Sequence, residues 1–138
     1  MTRPSRPEAV VATFIDCINR RDLDGLAMLM TEDHRLFIAG AEPFCGRDAS
    51  LAFWRDAFEA FPDYIIYRRH LAVAGSEVAV LGTTTGFHPE LPPQTEMERT
   101  VVWLAEVIDG ALSRWQAADD TPELRFNVGI PVSPGTDA

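Results

Sequence analysis

The spacing of apolar residues changes halfway along this chain, and this change constrains the fold more than any other feature. Up to Phe61, apolar residues recur every three or four positions, which is typical of amphipathic helices. Beyond Pro62 they occur in β-rich runs bounded by turn dipeptides, which is typical of strands. A helical half followed by a sheet-forming half predicts an α+β domain. With 138 residues, the chain is long enough for one such domain and too short for two.

The first half predicts three helices and one short strand. The first helix begins at Pro7, and its apolar stripe consists of Val10, Val11, Phe14, Ile15 and Ile18. A polar break over residues 19–24 leads into a second helix with Leu23, Leu26, Leu29 and Met30. Residues 34–40 alternate as a strand. The third helix, capped by Asp48 or Ser50, ends before Pro62 and carries Leu51, Phe53, Trp54, Phe58 and Phe61.

The second half predicts an antiparallel meander. Residues 64–74 and 77–88 are joined by the turn dipeptide Gly75-Ser76, and residues 97–108 and 111–119 by Asp109-Gly110. A Pro-rich connection separates the two hairpins, and Pro122 begins a short terminal helix. We expect the sheet to curl around the three helices as a cone whose mouth forms a small-molecule pocket.

We expect a single domain over residues 8–131. Residues 1–7 are then an N-terminal extension, and residues 132–138 form a flexible tail.

Charge and composition exclude several classes of protein. The formal net charge of −9 disfavours binding to nucleic acid or to an anionic membrane. No apolar run is long enough to span a bilayer, and the N-terminus does not resemble a signal peptide, so we expect a cytoplasmic protein. All 12 basic residues are arginine, which excludes mechanisms that depend on a lysine, such as Schiff-base and pyridoxal chemistry.

The sequence shows no metal or cofactor motif. Cys17 and Cys45 lack metal-binding spacing, and the three histidines are far apart. There is no nucleophile elbow and no dinucleotide-binding fingerprint. We therefore expect no cofactor and no metal.

Several strings, in this order, resemble one known superfamily. They are INRRDLDGLAMLMTED, FPDYIIYRRHLAVAGSEVAV, TTTGFHPELPPQT, DGALSRWQAADD and FNVGIP. Together they cover about residues 8–131 and are similar to the nuclear transport factor 2-like superfamily, especially its SnoaL-like polyketide cyclase and ketosteroid isomerase branches. The resemblance implies a curled sheet around a deep apolar cavity, and a homodimer. We expect the cavity to be lined by Phe14, Ile18, Ile38, Trp54, Phe58, Thr85, Trp103 and Trp115.

Most catalytic positions of these relatives carry apolar residues here. The tyrosine and general-base aspartate of ketosteroid isomerases correspond to Phe14 and Ile38, and their second aspartate corresponds to Trp103 or a neighbour. The resemblance thus argues against ketosteroid isomerase activity. The acid shared by polyketide cyclases and limonene epoxide hydrolase corresponds to Ala117, which argues against epoxide hydrolysis as well.

Three polar residues remain as catalytic candidates. Gln116, instead of Ala117, corresponds to the acid of the cyclases and the epoxide hydrolase if the alignment shifts by one residue. Asp120 corresponds to a further aspartate of the family, although a role as a helix cap explains Asp120 equally well. His88 resembles the histidine of the cyclase string G-T-H-T-G and can exchange a proton near pH 7. Strict alternation places His88 on the same face as Thr84 and opposite Thr85, unless a bulge intervenes at Gly86 or Pro89.

Other polar residues have simpler structural explanations. We expect His34 to be a solvated residue next to a turn, and Tyr64 to lie in the core or an interface. Arg99 is expected on a strand whose outer face supports dimerisation.

Three hypotheses about function stay open. The first is a cofactor-free proton-transfer enzyme of cyclase, isomerase or lyase type on a hydrophobic substrate, in which His88 is the acid or base and Thr85 or Gln116 donates a hydrogen bond. The second is a protein that binds an apolar molecule without converting it. The third is a dimerisation or interaction domain whose cavity is incidental.

Overall fold

The helices and strands follow the change in apolar spacing. The computed structural model describes residues 6–131, and within them a curled six-stranded sheet is accompanied by five helices. The helices are α1 (Pro7–Arg20), α2 (Leu23–Leu29), α3 (Arg47–Ala60), α4 (Pro93–Glu96) and α5 (Pro122–Val128). The strands are β1 (Met30–Phe37), β2 (Phe44–Cys45), β3 (Ile65–Ala74), β4 (Glu77–Thr85), β5 (Val101–Ile108) and β6 (Ala111–Asp119). The α+β fold predicted from the sequence is confirmed.

Helix α1 supplies much of the core. Pro7 lies in its first turn, and Arg21 ends it in a left-handed conformation with φ 58°. The predicted apolar stripe of α1 is fully buried against the inner face of the sheet. Burial of this face, rather than helix propensity alone, stabilises the element.

Two boundaries in the first half differ from the sequence prediction. Met30 does not end the second helix; it begins β1, because it is extended and pairs with Leu112 of β6. Neither Asp48 nor Ser50 caps α3: the N-cap is Gly46, and the Ser50 hydroxyl lies inside the helix and donates to the Gly46 carbonyl at 2.9 Å. Backbone pairing and a glycine conformation, which apolar spacing does not report, decide these positions.

The strand order is β2-β1-β6-β5-β4-β3. Both predicted hairpins, β3–β4 and β5–β6, are present, with Gly75 (φ 62°) and Asp109-Gly110 (φ 52° and 82°) at their turns. Strand β1 pairs with β6 in parallel, so the sheet is not entirely an antiparallel meander. This pairing places β1, from the helical first half of the chain, next to β6, the last strand.

The connection between the hairpins contains a helical turn that the sequence analysis did not predict. Pro93 begins α4, and β5 starts only at Val101, four residues later than predicted. Pro93 lies at the first helical position, where its missing N–H costs nothing. Helix α4 thereby faces the end of β4.

Helix α5 covers part of the opposite face of the sheet. Ile130, directly after α5, packs with Ala79 of β4 and Val102 of β5 in a second, smaller core. Residues 1–5 of the predicted extension and residues 132–138 of the predicted tail lie outside the described residues. In residues 6–131, no helix is long and apolar enough to cross a membrane.

Candidate functional site

A cavity of about 530 Å³ opens at one end of the cone. Helix α3 and the inner faces of β4, β5 and β6 form its walls, and the segment from Phe87 to Thr100 forms part of its rim. Its aromatic lining consists of Phe53, Trp54, Phe61, Tyr64, Phe87, Trp103 and Trp115. Its other polar lining consists of Thr84, His88, Glu96, Arg99 and Thr100. An apolar pocket with a few convergent polar groups is typical of small-molecule sites.

All three tryptophans of the protein line this cavity. Trp103 and Trp115, on adjacent strands, stack with ring centroids 6.2 Å apart and planes 16° apart. Phe14 supports the wall from behind, with its ring 5.1 Å from Trp115 and 6.5 Å from Trp54. The tryptophans are held by core packing, so the cavity is bounded by a fixed aromatic surface.

Glu96 places a buried carboxylate in the cavity wall. It is 2% exposed, and its Oε2 accepts hydrogen bonds from the Thr84 hydroxyl at 2.8 Å and the Phe87 amide at 3.1 Å. Its Oε1 accepts one from the Gly86 amide at 3.0 Å. Three donors compensate the desolvation of a carboxylate. Through these hydrogen bonds, Glu96 connects α4 to Thr84 near the end of β4 and to the backbone at Gly86 and Phe87, where the rim begins.

Tyr64 presents a phenol to the same cavity. Arg21 positions its backbone, since Nη1 of Arg21 donates to the Tyr64 carbonyl at 2.6 Å and Nη2 to the Phe61 and Pro62 carbonyls. The Tyr64 hydroxyl has no hydrogen-bond partner among the described residues. Burial, and then the nearby Glu96 carboxylate, raise the pKa of this phenol well above its usual range. Tyr64 is therefore a neutral hydrogen-bond donor at neutral pH.

His88 lies at the rim. Its ring contacts Phe87 edge-on at 5.0 Å between centroids, and its Nδ1 is 3.3 Å from Oε2 of Glu90. The two side chains form no hydrogen bond, so this is an electrostatic contact only. Nε2 forms no hydrogen bond or ion pair with any described residue and is the ring nitrogen left for a ligand.

Gly86 explains how the consecutive residues Phe87 and His88 both line the cavity. β4 ends at Thr85, and Gly86 has a φ of 82°, so strict alternation stops there. A Cβ at this position would lie 2.2 Å from the Asp63 carbonyl oxygen, which only glycine avoids. Thr84 and His88 line the cavity and Thr85 does not, so the irregular backbone at Gly86 does not bring Thr85 and His88 together.

The structure places the predicted site residues in two groups. Ile38, Trp54, Trp103, Trp115 and His88 line the cavity. The remaining predicted residues are not part of the lining: they are Phe14, Ile18, Phe58, Thr85, Gln116 and Asp120. Phe14 and Ile18 are fully buried in the core, and Phe58 packs against Trp54. Thr85 points away from Thr84 and meets the Tyr67 hydroxyl at 3.1 Å.

Asp120 connects β6 to α5. Both of its carboxylate oxygens are 2.7 Å from guanidinium nitrogens of Arg125, and the Thr100 hydroxyl donates to it as well. The hydrogen bonds from Arg125 lower the pKa of Asp120. This geometry gives Asp120 a role in holding α5; a catalytic role stays an untested prediction.

Sequence reasoning did not identify five polar residues of the cavity as site candidates: the threonines Thr84 and Thr100, and Tyr64, Glu96 and Arg99. Glu96 belongs to the Pro-rich connection, where neither helical nor strand periodicity indicates a direction. Arg99 precedes β5 and lines the cavity, instead of lying on a strand. Tyr64 follows α3 in a turn whose shape depends on Arg21. The sequence feature that could have indicated α4 is the Pro92-Pro93 pair, because proline is favoured at the first position of a helix.

His34 is buried in the core, contrary to the expectation of a solvated residue. It is 0% exposed, and its Nδ1 lies 2.9 Å from the Leu112 carbonyl oxygen. A carbonyl accepts only, so Nδ1 carries the hydrogen and Nε2, which has no partner in the described part of the chain, is unprotonated. Burial lowers the pKa of His34.

No group of three or more His, Cys, Asp or Glu side chains in residues 6–131 is arranged to hold a metal ion. The titratable side chains that line the cavity are those of Tyr64, His88, Glu96 and Arg99.

Solved structures confirm the fold. A proposed polyketide cyclase from Sinorhizobium meliloti is 23% identical, with a TM-score of 0.68 over 79% of this chain and 93% of that chain. A proposed ketosteroid isomerase from Kribbella flavida is 24% identical, with a TM-score of 0.64 over 91% of this chain and 89% of that one. A proposed SnoaL-like polyketide cyclase from Jannaschia sp. is 21% identical, with a TM-score of 0.69 over 96% and 99%. At these identities, the likeness shows the fold alone.

Sequence comparison identifies the family. No curated protein matches the chain significantly. The SnoaL-like domain, however, matches residues 11–115, which extend from within α1, through the β3–β4 hairpin and β5, to Trp115 within β6. The chain therefore belongs to the SnoaL-like domain family of the NTF2-like superfamily.

Proposed function

We propose that this protein binds a small hydrophobic molecule with a carbonyl group in the aromatic cavity and catalyses a cofactor-free proton transfer on it. The observation that carries this proposal is that Tyr64, His88 and Glu96 line one apolar cavity and that the Tyr64 hydroxyl is unpartnered among the described residues. A donor for a carbonyl oxygen and a base for the adjacent C–H are the groups that enolisation needs.

The two reacting side chains have complementary roles. Nε2 of His88 accepts a proton from the carbon next to the carbonyl, and the C–H electron pair forms the enolate. The developing oxyanion accepts a hydrogen bond from Tyr64, which stays protonated because its pKa is raised. The imidazolium returns the proton to the same or another carbon. Protons and electron pairs are thereby balanced without a further reagent.

Glu96 acts on this site as a positioning residue. All of its observed hydrogen bonds come from Thr84 and the backbone at Gly86 and Phe87, and these hold the segment that carries His88. The same negative charge opposes ionisation of Tyr64.

Deuterium exchange tests the proposal directly. The protein is incubated in D₂O with 1-tetralone, and loss of the proton signal next to the carbonyl is followed by NMR. We expect exchange above the buffer rate, at least tenfold slower in His88→Gln and in Tyr64→Phe, since general acid–base groups contribute about 10²–10⁴-fold. His70→Gln, which changes an exposed histidine outside the cavity, serves as the matched control. Native-like exchange in His88→Gln would remove its proposed role.

Binding without turnover is the second candidate, and one observation favours it. Ile38 and Ala117, which correspond to acidic positions in catalytic relatives, both line the cavity. In this case, 1-tetralone quenches the fluorescence of the cavity tryptophans but its protons do not exchange.

An open cavity of about 530 Å³ gives less support to the third hypothesis, an incidental cavity filled by the protein's own side chains.

A further inference from the structure

Arg99 is an unpaired cation at the cavity. It lines the cavity and is exposed, and its guanidinium forms no ion pair or hydrogen bond with any described residue. Arg114 and Arg125, by contrast, are paired with Glu77 and Asp120. Arg35, Arg47 and Arg69 also lack an ion pair with any described residue, so what distinguishes Arg99 is its place in the lining of an apolar cavity.

The charges around Arg99 leave it available to an anion. The carboxylate of Glu96 is turned toward Thr84 and the amides of Gly86 and Phe87, which occupy it. Asp120 is bound by Arg125 and Thr100. His88 is the other group at the cavity that can carry a positive charge, and it is next to Glu90.

We propose that Arg99 binds a carboxylate on the ligand, so that the ligand class is a hydrophobic carboxylic acid whose apolar body lies among the cavity aromatics. This inference rests on the proposed use of the cavity and adds the anionic group to it. A guanidinium matches the planar shape of a carboxylate through paired N–H donors. Because Arg99 is exposed, its ion pair with the ligand contributes little to the total affinity, which comes from the aromatic walls. The ion pair instead favours ligands with a carboxylate over neutral ligands of the same shape.

A matched pair of ligands tests this inference. Naphthalene-2-carboxylate and naphthalene-2-carboxamide have nearly the same shape and differ in charge at pH 7. Their dissociation constants are measured by isothermal titration calorimetry with the native protein, Arg99→Gln and Arg69→Gln. Arg69 is exposed and outside the cavity, so its substitution changes the net charge equally and leaves the rim intact.

We expect the native protein and Arg69→Gln to bind the carboxylate about three- to fivefold more tightly than the amide, which is the scale of an exposed ion pair. This preference should disappear in Arg99→Gln and shrink at 0.5 M salt. Equal binding of the two ligands to the native protein, or a preference that persists in Arg99→Gln, overturns the inference while cavity binding stands. Binding of neither ligand contradicts cavity binding and the inference together.

Discussion

The Thr84 hydroxyl donates a hydrogen bond of 2.8 Å to the Glu96 carboxylate, and both side chains are buried in the cavity wall. This contact joins the end of β4 to α4 across the segment that carries Phe87 and His88. Because Gly86 and Phe87 donate to the same carboxylate, one side chain fixes the start of the rim. The position of His88 at the cavity therefore depends on a residue outside the strands.

Glu96→Gln should destabilise the protein by about 1–3 kcal/mol. The amide nitrogen of glutamine cannot accept a hydrogen bond, so at least one of the three buried donors loses its partner. Denaturant unfolding measures the loss, and faster hydrogen exchange at the Gly86 and Phe87 amides would locate it. Glu98→Gln, which alters an exposed glutamate nearby, should stay within about 0.5 kcal/mol of the native protein. Unchanged exchange at both amides in Glu96→Gln would mean that Glu96 does not hold the rim.

Tyr64 should remain protonated at a pH where an ordinary phenol, with a pKa of about 10, is half ionised. Burial and the Glu96 carboxylate both disfavour its anion. The protein has two tyrosines, so Tyr67→Phe leaves Tyr64 as the only phenol, and its absorbance at 295 nm reports its ionisation alone. Tyr64→Phe is the complementary control. A half-point near pH 10 in folded Tyr67→Phe would show that the cavity phenol is not shielded.

Asp120→Asn should lower stability and leave catalysis intact. The substitution weakens the paired hydrogen bonds from Arg125, with an expected cost of about 1–3 kcal/mol. Since the pKa of Asp120 is lowered in the folded state, its stabilisation is present above the ordinary value of 3.8 and is lost as the pH falls through the folded value. Asp119→Asn, at an exposed neighbouring residue, controls for charge. Slower deuterium exchange of 1-tetralone in folded Asp120→Asn would instead support a catalytic role.

The sequence predicted most of the architecture because apolar spacing reports burial. The α1 stripe, both hairpins and the short helix after Pro122 were identified in this way. The cavity tryptophans were found because large aromatics on inner faces have few other places to lie.

The polar part of the site was less predictable because it depends on contacts distant in sequence. Tyr64 is positioned by Arg21, 43 residues earlier, and Glu96 is held by Thr84 across a turn that only Gly86 permits. Such hydrogen bonds leave no periodic pattern. His34 was misplaced for the same reason, since the Leu112 carbonyl that binds it belongs to the last hairpin.

Buried His34 should make the protein less stable in mild acid. Burial lowers the pKa of His34 in the folded protein below the ordinary 6.5. At pH values between the folded pKa and 6.5, the unfolded chain therefore binds a proton that the folded chain does not. Stability is then complete above pH 6.5 and falls with decreasing pH until the folded value is passed, with a slope of at most about 1.4 kcal/mol per pH unit. In His34→Asn, the amide nitrogen can still donate to Leu112, and this slope should be reduced. The matched control is His70→Asn, at an exposed histidine, which should keep the native slope. Urea unfolding at pH values from 5 to 8 measures the difference, and equal slopes in His34→Asn and the native protein would rule His34 out as its source.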